Sequence, residues 1–210
     1  MARSLKAARA ELAASDPAMA KLIERLGDRS AAQRRRGRPK PDAYGALLRT
    51  IVGQQLSAKA ARTIYERVLA LYGGKTPSPK QILATSEADL RGAGLSGRKV
   101  EYIRDLAAHV QSGELELNRL EKLSDEEVID EISAVRGLGR WSAEMFLIFH
   151  LERPDVISGG DLGIRKAIML EYDLGKMPTP TEVEERSEAW RPNRTLAMLY
   201  LWESLHAIPD

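Results

Sequence analysis

The sequence contains no cysteine. That absence excludes disulfides, a thiolate nucleophile, cysteine-ligated zinc and an iron–sulfur cluster. Aromatic residues make up only 5% of the chain, so each of the three tryptophans, Trp141, Trp190 and Trp202, calls for an explanation. No apolar run approaches the roughly 18 residues of a membrane span. Strand signals are nearly missing too: the best alternating stretch, "ELELN" at Glu114 to Asn118, has two apolar residues and suits a turn or connector. Charge of one sign is not in excess, with 32 basic against 30 acidic residues and a formal net charge of +2. Global charge is therefore a weak argument for a polyanionic partner. The N-terminus lacks the apolar centre of a secretory signal, and Glu11 and Asp16 interrupt the basic bias of a transit peptide.

What is present is a chain of 210 residues that is 43% hydrophobic, enough to bury one large core or two small ones. Nearly every segment has helical periodicity. Leu47, Leu48, Ile51 and Val52 share a helical face behind the N-cap candidate Asp42. Ser57 is placed to cap a second helix that Gly73 and Gly74 would end. Capping-box patterns recur at Ser86 to Asp89, Ser124 to Glu127 and Thr181 to Glu184. These features predict an all-α protein of about nine to eleven helices. Arg34, Arg35, Arg36, Arg38 and Lys40 crowd one polar segment, either a phosphate-contacting patch or a self-repelling loop.

Two glycine-rich corners stand out. "VRGLGRWSAE" at Val135 to Glu144 follows a helix predicted over 126–134 and leads directly into another, and "RGAGLSGRK" at Arg91 to Lys99 echoes it. Such a corner brings backbone close to a ligand, and the next helix offers free N–H groups and a positive dipole end to a phosphate. The glycines alone equally make a tight corner with no ligand. Further on, "SGGDLGIRKA" puts Asp161 behind two glycines at the head of an apolar-periodic segment, as an N-cap or as a carboxylate with room for something bulky beside it. His109, His150 and His206 have no metal-ligand spacing and are not assigned to catalysis.

"VRGLGRWSAEMF" followed by "GGDLGIRKA" resembles the helix-hairpin-helix, Gly/Pro-rich loop and aspartate of the base-excision DNA glycosylase superfamily. "IVGQQLSAKAA", "GLSGRKVEYIRDLA" and "WRPNRTLAMLYLW" extend the likeness, from about Asp16 onward, towards the 3-methyladenine DNA glycosylase II branch. The resemblance implies a two-lobed helical fold with the active site in the cleft between lobes. Residues 1–40 would form an N-terminal helical segment and basic loop, 41–150 a lobe with the hairpin, and 151–210 the helices that carry the aspartate and complete the second lobe with the N-terminal segment. An N-terminal mixed α/β region of fuller members is not matched.

The same resemblance implies roles for single residues. Asp161 matches the catalytic aspartate, which would stabilise the oxocarbenium-like transition state of N-glycosidic cleavage and orient water. Trp141 occupies the position where strand-cutting branches carry a Schiff-base lysine, which implies a monofunctional glycosylase acting on alkylated purines of the 3-methyladenine and 7-methylguanine type. Trp141, Met145 and Trp190 would line the base pocket, Met145 replacing an aromatic residue; Trp202 is expected in the core. Gln55 or Leu56 would fill the gap left by the extruded nucleotide. Gly137, Gly139, Arg140 and Ser142, with Gly97, Arg98 and Lys99 at the second corner, would contact phosphates. Main-chain carbonyls of Ser133, Val135 and Leu138 would hold Na+ or K+, with no organic cofactor and no iron–sulfur cluster. The expected partner is alkylated double-stranded DNA, the expected state a monomer away from membranes, and the compartment a bacterial cytoplasm, at the nucleoid, or a nucleus. Two alternatives remain: a DNA-binding module without enzymatic activity, and a glycosylase/lyase using an amine such as Lys166.

Overall fold

The computed structural model describes residues 4–27 and 42–206. The basic stretch from Arg34 to Lys40 lies outside the described residues. Among the described residues there are α-helices and two 3-10 helices, with no strand: α1 (Leu5–Ser15), α2 (Pro17–Leu26), α3 (Ala43–Gly53), α4 (Ala58–Ala70), α5 (Pro79–Ala84), α6 (Glu87–Gly92), α7 (Gly97–Ser112), a 3-10 turn (Leu117–Lys122), α8 (Asp125–Ser133), α9 (Arg140–Phe149), α10 (Leu162–Glu171), α11 (Pro180–Ser187), a 3-10 turn (Glu188–Trp190) and α12 (Arg194–His206). The all-α expectation holds, and "ELELN" leads into the first 3-10 turn. The described residues hold more helices than expected; α5, of six residues, is too short to show periodicity, whereas α6, equally short, is marked in the sequence by its cap at Ser86.

The sequence builds these helices largely through their caps. Helices α1 to α8, α10 and α11 each open on a Ser, Thr or Asp side chain that accepts an N–H of the first turn, worth about 1 kcal/mol apiece. Three capping boxes differ from the sequence reading: at α6 only half of the Ser86 to Asp89 box is present, the Ser86 hydroxyl accepting the Asp89 N–H. Ser78 and Gln81 form one at α5, and the box expected at Thr181 to Glu184 is formed two residues earlier by Thr179 and Glu182. Pro180 decides that register, because proline is well placed at the first helical position.

The chain divides into two compact units. One joins the described residues of Met1–Pro39 to those of Glu152–Asp210, and the other comprises those of Lys40–Leu151. The first is built around α12, whose Ala197, Met198, Tyr200 and Leu201 are fully buried; a helix apolar on all sides belongs at a centre. It packs against α2 and α10. In the second unit Leu47, Leu48, Ile51 and Val52 of α3 are fully buried, and α4, α7 and α9 pack around that helix.

Candidate active site and nucleic-acid interface

In the first unit, Asp161 is the N-cap of α10. Its Oδ1 accepts the Ile164 N–H at 2.8 Å and the Trp202 indole N–H at 3.1 Å. Two donors on one oxygen fix the plane of the carboxylate, and hence the direction of its second oxygen. Asp161 is half-buried, and Leu162 beside it is 67% exposed. Gly163 makes the indole contact possible: a Cβ there would lie 3.1 Å from Asp161 Oδ1 and 3.3 Å from the Trp202 ring. The glycines before Asp161 differ. A Cβ at Gly159 would meet the Pro180 carbonyl at 2.8 Å, so its space is filled by the chain itself, whereas Gly160 is open.

This arrangement corrects two expectations. Trp190 is fully buried, with its indole N–H donating to Asp16 Oδ2 at 2.9 Å; it is a core residue and presents no face to a base. Trp202, expected in the core, is half-buried beside the carboxylate. Trp190 lies in the polar stretch "RSEAWRPNR" and Trp202 in the apolar run "LAMLYLW", yet the indole in the polar stretch is the one that is fully buried, and only the fold reveals which indole finds which acid.

Asp16 is the functional-looking carboxylate that sequence reasoning missed. Only 8% exposed, it caps α2 through Oδ1, accepting Ala18 N–H at 2.9 Å and Met19 N–H at 3.2 Å. Its Oδ2 accepts the Tyr172 hydroxyl at 2.6 Å as well as Trp190. Burial pushes the Asp16 pKa up, but the bonds from Tyr172, Trp190, Met19 and Ala18 outweigh this and hold it below the ordinary 3.8. Every donor comes from the chain itself, so Asp16 is structural. Asp-Pro before a helix signals its cap; no local signal points to partners more than 150 residues away.

In the second unit, α8 and α9 form the hairpin. Gly137 has φ 86°, and a Cβ there would lie 2.2 Å from the Tyr102 ring, so only glycine fits. Gly139 opens α9 with no side-chain cap, unlike the ten capped helices above. Uncapped first-turn N–H groups at the positive dipole end suit an anion. Trp141, in that first turn, is 47% exposed. Met145 stands one turn further along but is buried, so of the three expected pocket residues only Trp141 offers a broad surface.

The expected phosphate contacts separate. Arg98 is exposed and forms no ion pair among the described residues. Lys99 turns inward, its Nζ donating to the carbonyls of Val52 at 2.7 Å and Gln54 at 2.8 Å; desolvation pulls its pKa down. Arg140 pairs with Glu126 through two bonds of 2.9 and 3.1 Å and with Glu144 at 3.0 Å. Ser142 is buried, so its hydroxyl is not offered to a phosphate. Gly97 stands behind Ser96, whose hydroxyl already caps α7 through the Lys99 N–H. Gln55 and Leu56 are both exposed at the turn between α3 and α4.

The described residues thus offer, in one unit, a helix start that suits an anion and, in the other, a carboxylate fixed in direction. The model for the HhH-GPD superfamily of base excision DNA repair proteins matches residues 48–192. The chain is 34% identical over 203 residues to DNA-3-methyladenine glycosylase 1 of Schizosaccharomyces pombe, covering 96% of this chain and 88% of that protein. The S. pombe 3-methyladenine DNA glycosylase in complex with abasic DNA superposes with a TM-score of 0.82 at 32% identity, over 95% of this chain and 96% of that one. A DNA-3-methyladenine glycosidase from Bacillus halodurans gives 0.81 at 38% identity, over 94% and 88%. DNA-3-methyladenine glycosylase 2 of Escherichia coli is 26% identical, over 80% of this chain and 60% of that protein. The chain belongs to the HhH-GPD superfamily of base excision DNA repair proteins.

Proposed function

We propose that this protein is a monofunctional DNA glycosylase that hydrolyses the N-glycosidic bond of alkylated purines, of the 3-methyladenine and 7-methylguanine type, flipped from duplex DNA. The observation that carries the reading is the Asp161 carboxylate, oriented through one oxygen by Ile164 and Trp202. Departure of the base develops positive charge on the sugar, and a fixed carboxylate stabilises it without reorganising. An alkylated purine already bears positive charge and leaves without strong acid catalysis, so one carboxylate suffices. The exposed indole of Trp141 attracts such a cation by about 0.5 to 2 kcal/mol.

Backbone N–H groups at Gly139 and α9, with Arg98, hold the DNA backbone without reading sequence. The Ser133, Val135 and Leu138 carbonyls form a donor set of uncharged oxygens, the type a hard cation prefers. Val135 spends one lone pair on the Leu138 N–H at 3.0 Å and keeps a second. A Na+ or K+ there would add positive charge next to a phosphate. The protein acts as a monomer, in a bacterial cytoplasm or a nucleus. Against the lyase reading, Lys166 is exposed and lies five residues after Asp161, whereas helix positions three or four apart share a face.

The test is liberation of free base from duplexes carrying single alkylated purines. Asp161→Asn is expected to keep DNA binding while base release falls by orders of magnitude. Tight, salt-sensitive binding with no base released by the unaltered protein would instead support the DNA-binding module.

A further inference from the structure

The turn joining α3 to α4 holds a conformation its sequence does not favour. The Leu56 N–H donates to the Gly53 carbonyl at 3.2 Å, Gln54 has φ −53° and ψ 131°, and Gln55 has φ 57°. That is the pattern of a type II turn, whose third position normally takes glycine or asparagine. A glutamine there costs on the order of 1 kcal/mol and persists only where its surroundings over-determine it.

Two side chains supply that constraint. Lys99 bridges the carbonyls of Val52 and Gln54, where α3 ends and its dipole favours a cation. Gln54 Nε2 donates to the Gly137 carbonyl at 2.6 Å, tying the turn to the hairpin corner. All four groups belong to the second unit. The clamp leaves Gln55 and Leu56 exposed at the tip of the turn.

We infer that Gln54 and Lys99 are positioning residues that lock the hairpin corner to the wedge turn, so that the wedge is held rigid when the hairpin seats on a phosphate. This rests on the function proposed above. Extruding a nucleotide costs a few kcal/mol, and a wedge offsets that cost only if the backbone behind it does not yield. A turn free to relax would lose its strained φ and move its tip. Gly137 joins both roles, since its φ shapes the hairpin and its carbonyl anchors Gln54.

The test compares single-turnover release of 7-methylguanine from two duplexes, one with the lesion fully paired and one with it opposite an abasic-site analogue, where extrusion is cheap. Gln54→Leu and Lys99→Met are each expected to lose about tenfold on the paired duplex and less than about twofold on the other. The readout is a ratio within one preparation, so loss of folded protein cancels. Equal losses on both duplexes, or none on either, overturn the inference and leave the two residues as ordinary packing. An unaltered protein that releases no base from either duplex overturns the glycosylase reading itself, and this inference with it.

Discussion

The indole N–H of Trp202 donates to Asp161 Oδ1 at 3.1 Å, across the backbone of Gly163. α12 and α10 thereby jointly aim the carboxylate. An Asp N-cap alone has one anchor and keeps torsional freedom; the second donor, from a helix packed against the first, removes it.

Trp202→Phe keeps an aromatic side chain, smaller than the indole, and deletes that donor. Loss of one hydrogen bond to a charged group is worth about 1.5 kcal/mol, or about tenfold in rate. Single-turnover base release should fall by that factor, with unchanged affinity for abasic DNA. Gly163→Ala should match it, because the added methyl would press on Asp161 Oδ1 and the indole together. Full activity in both variants would show that the Trp202 contact does not orient the acid.

Asp16 makes a separate prediction, on stability. Asp16→Ala removes the α2 cap and strands the buried Trp190 N–H and the Tyr172 hydroxyl, a loss of about 3 to 5 kcal/mol by chemical denaturation. The folded-state pKa of Asp16 lies below 3.8, so its contribution is complete above the unfolded value and is lost as pH falls through the depressed folded one. Acid unfolding should therefore show a stability loss below about pH 4 that the Asp16→Ala variant lacks.

Local chemistry made the helices legible: the N-caps at Asp42, Ser57, Ser86 and Ser124 were visible because a cap acts within its own turn. Asp161 was legible as a residue for the same reason. The environment of the site was not. Trp190 and Trp202 differ in function through their partners Asp16 and Asp161, which lie far away in sequence. Lys99 and Arg140, expected as phosphate contacts from the resemblance, face carbonyls and carboxylates of the protein instead. Spacing reports a face of a helix, whereas pairing depends on what the fold brings to that face.

Gly137 and Gly139 separate folding from binding within one hairpin. Gly137→Ala would add a strained φ and a clash with Tyr102, costing about 2 kcal/mol or more. Gly139 has φ −110° and nothing within 4 Å of a built Cβ, so Gly139→Ala should melt within about 2 °C of the unaltered protein. If DNA backbone closes on Gly139, the alanine variant should nonetheless bind duplex at least about fivefold more weakly, because its methyl holds the phosphate off the α9 N–H groups. Unimpaired binding by Gly139→Ala would show that the phosphate sits elsewhere.

Gln55 sets stability against activity most directly. Its φ of 57° is one glycine adopts without strain, so Gln55→Gly should leave the protein no less stable, and up to about 1 kcal/mol more so. The variant also deletes the exposed side chain at the tip of the turn. Base release from a paired lesion should then fall while the melting temperature holds or rises, a pairing of effects that damage to the fold cannot produce. Gln55→Ala separates the causes, since it keeps the backbone strain and loses the same wedge: it should match the glycine variant in activity and fall below it in stability. If both variants retain full rate, the wedge is Leu56, and Leu56→Ala should then show the loss.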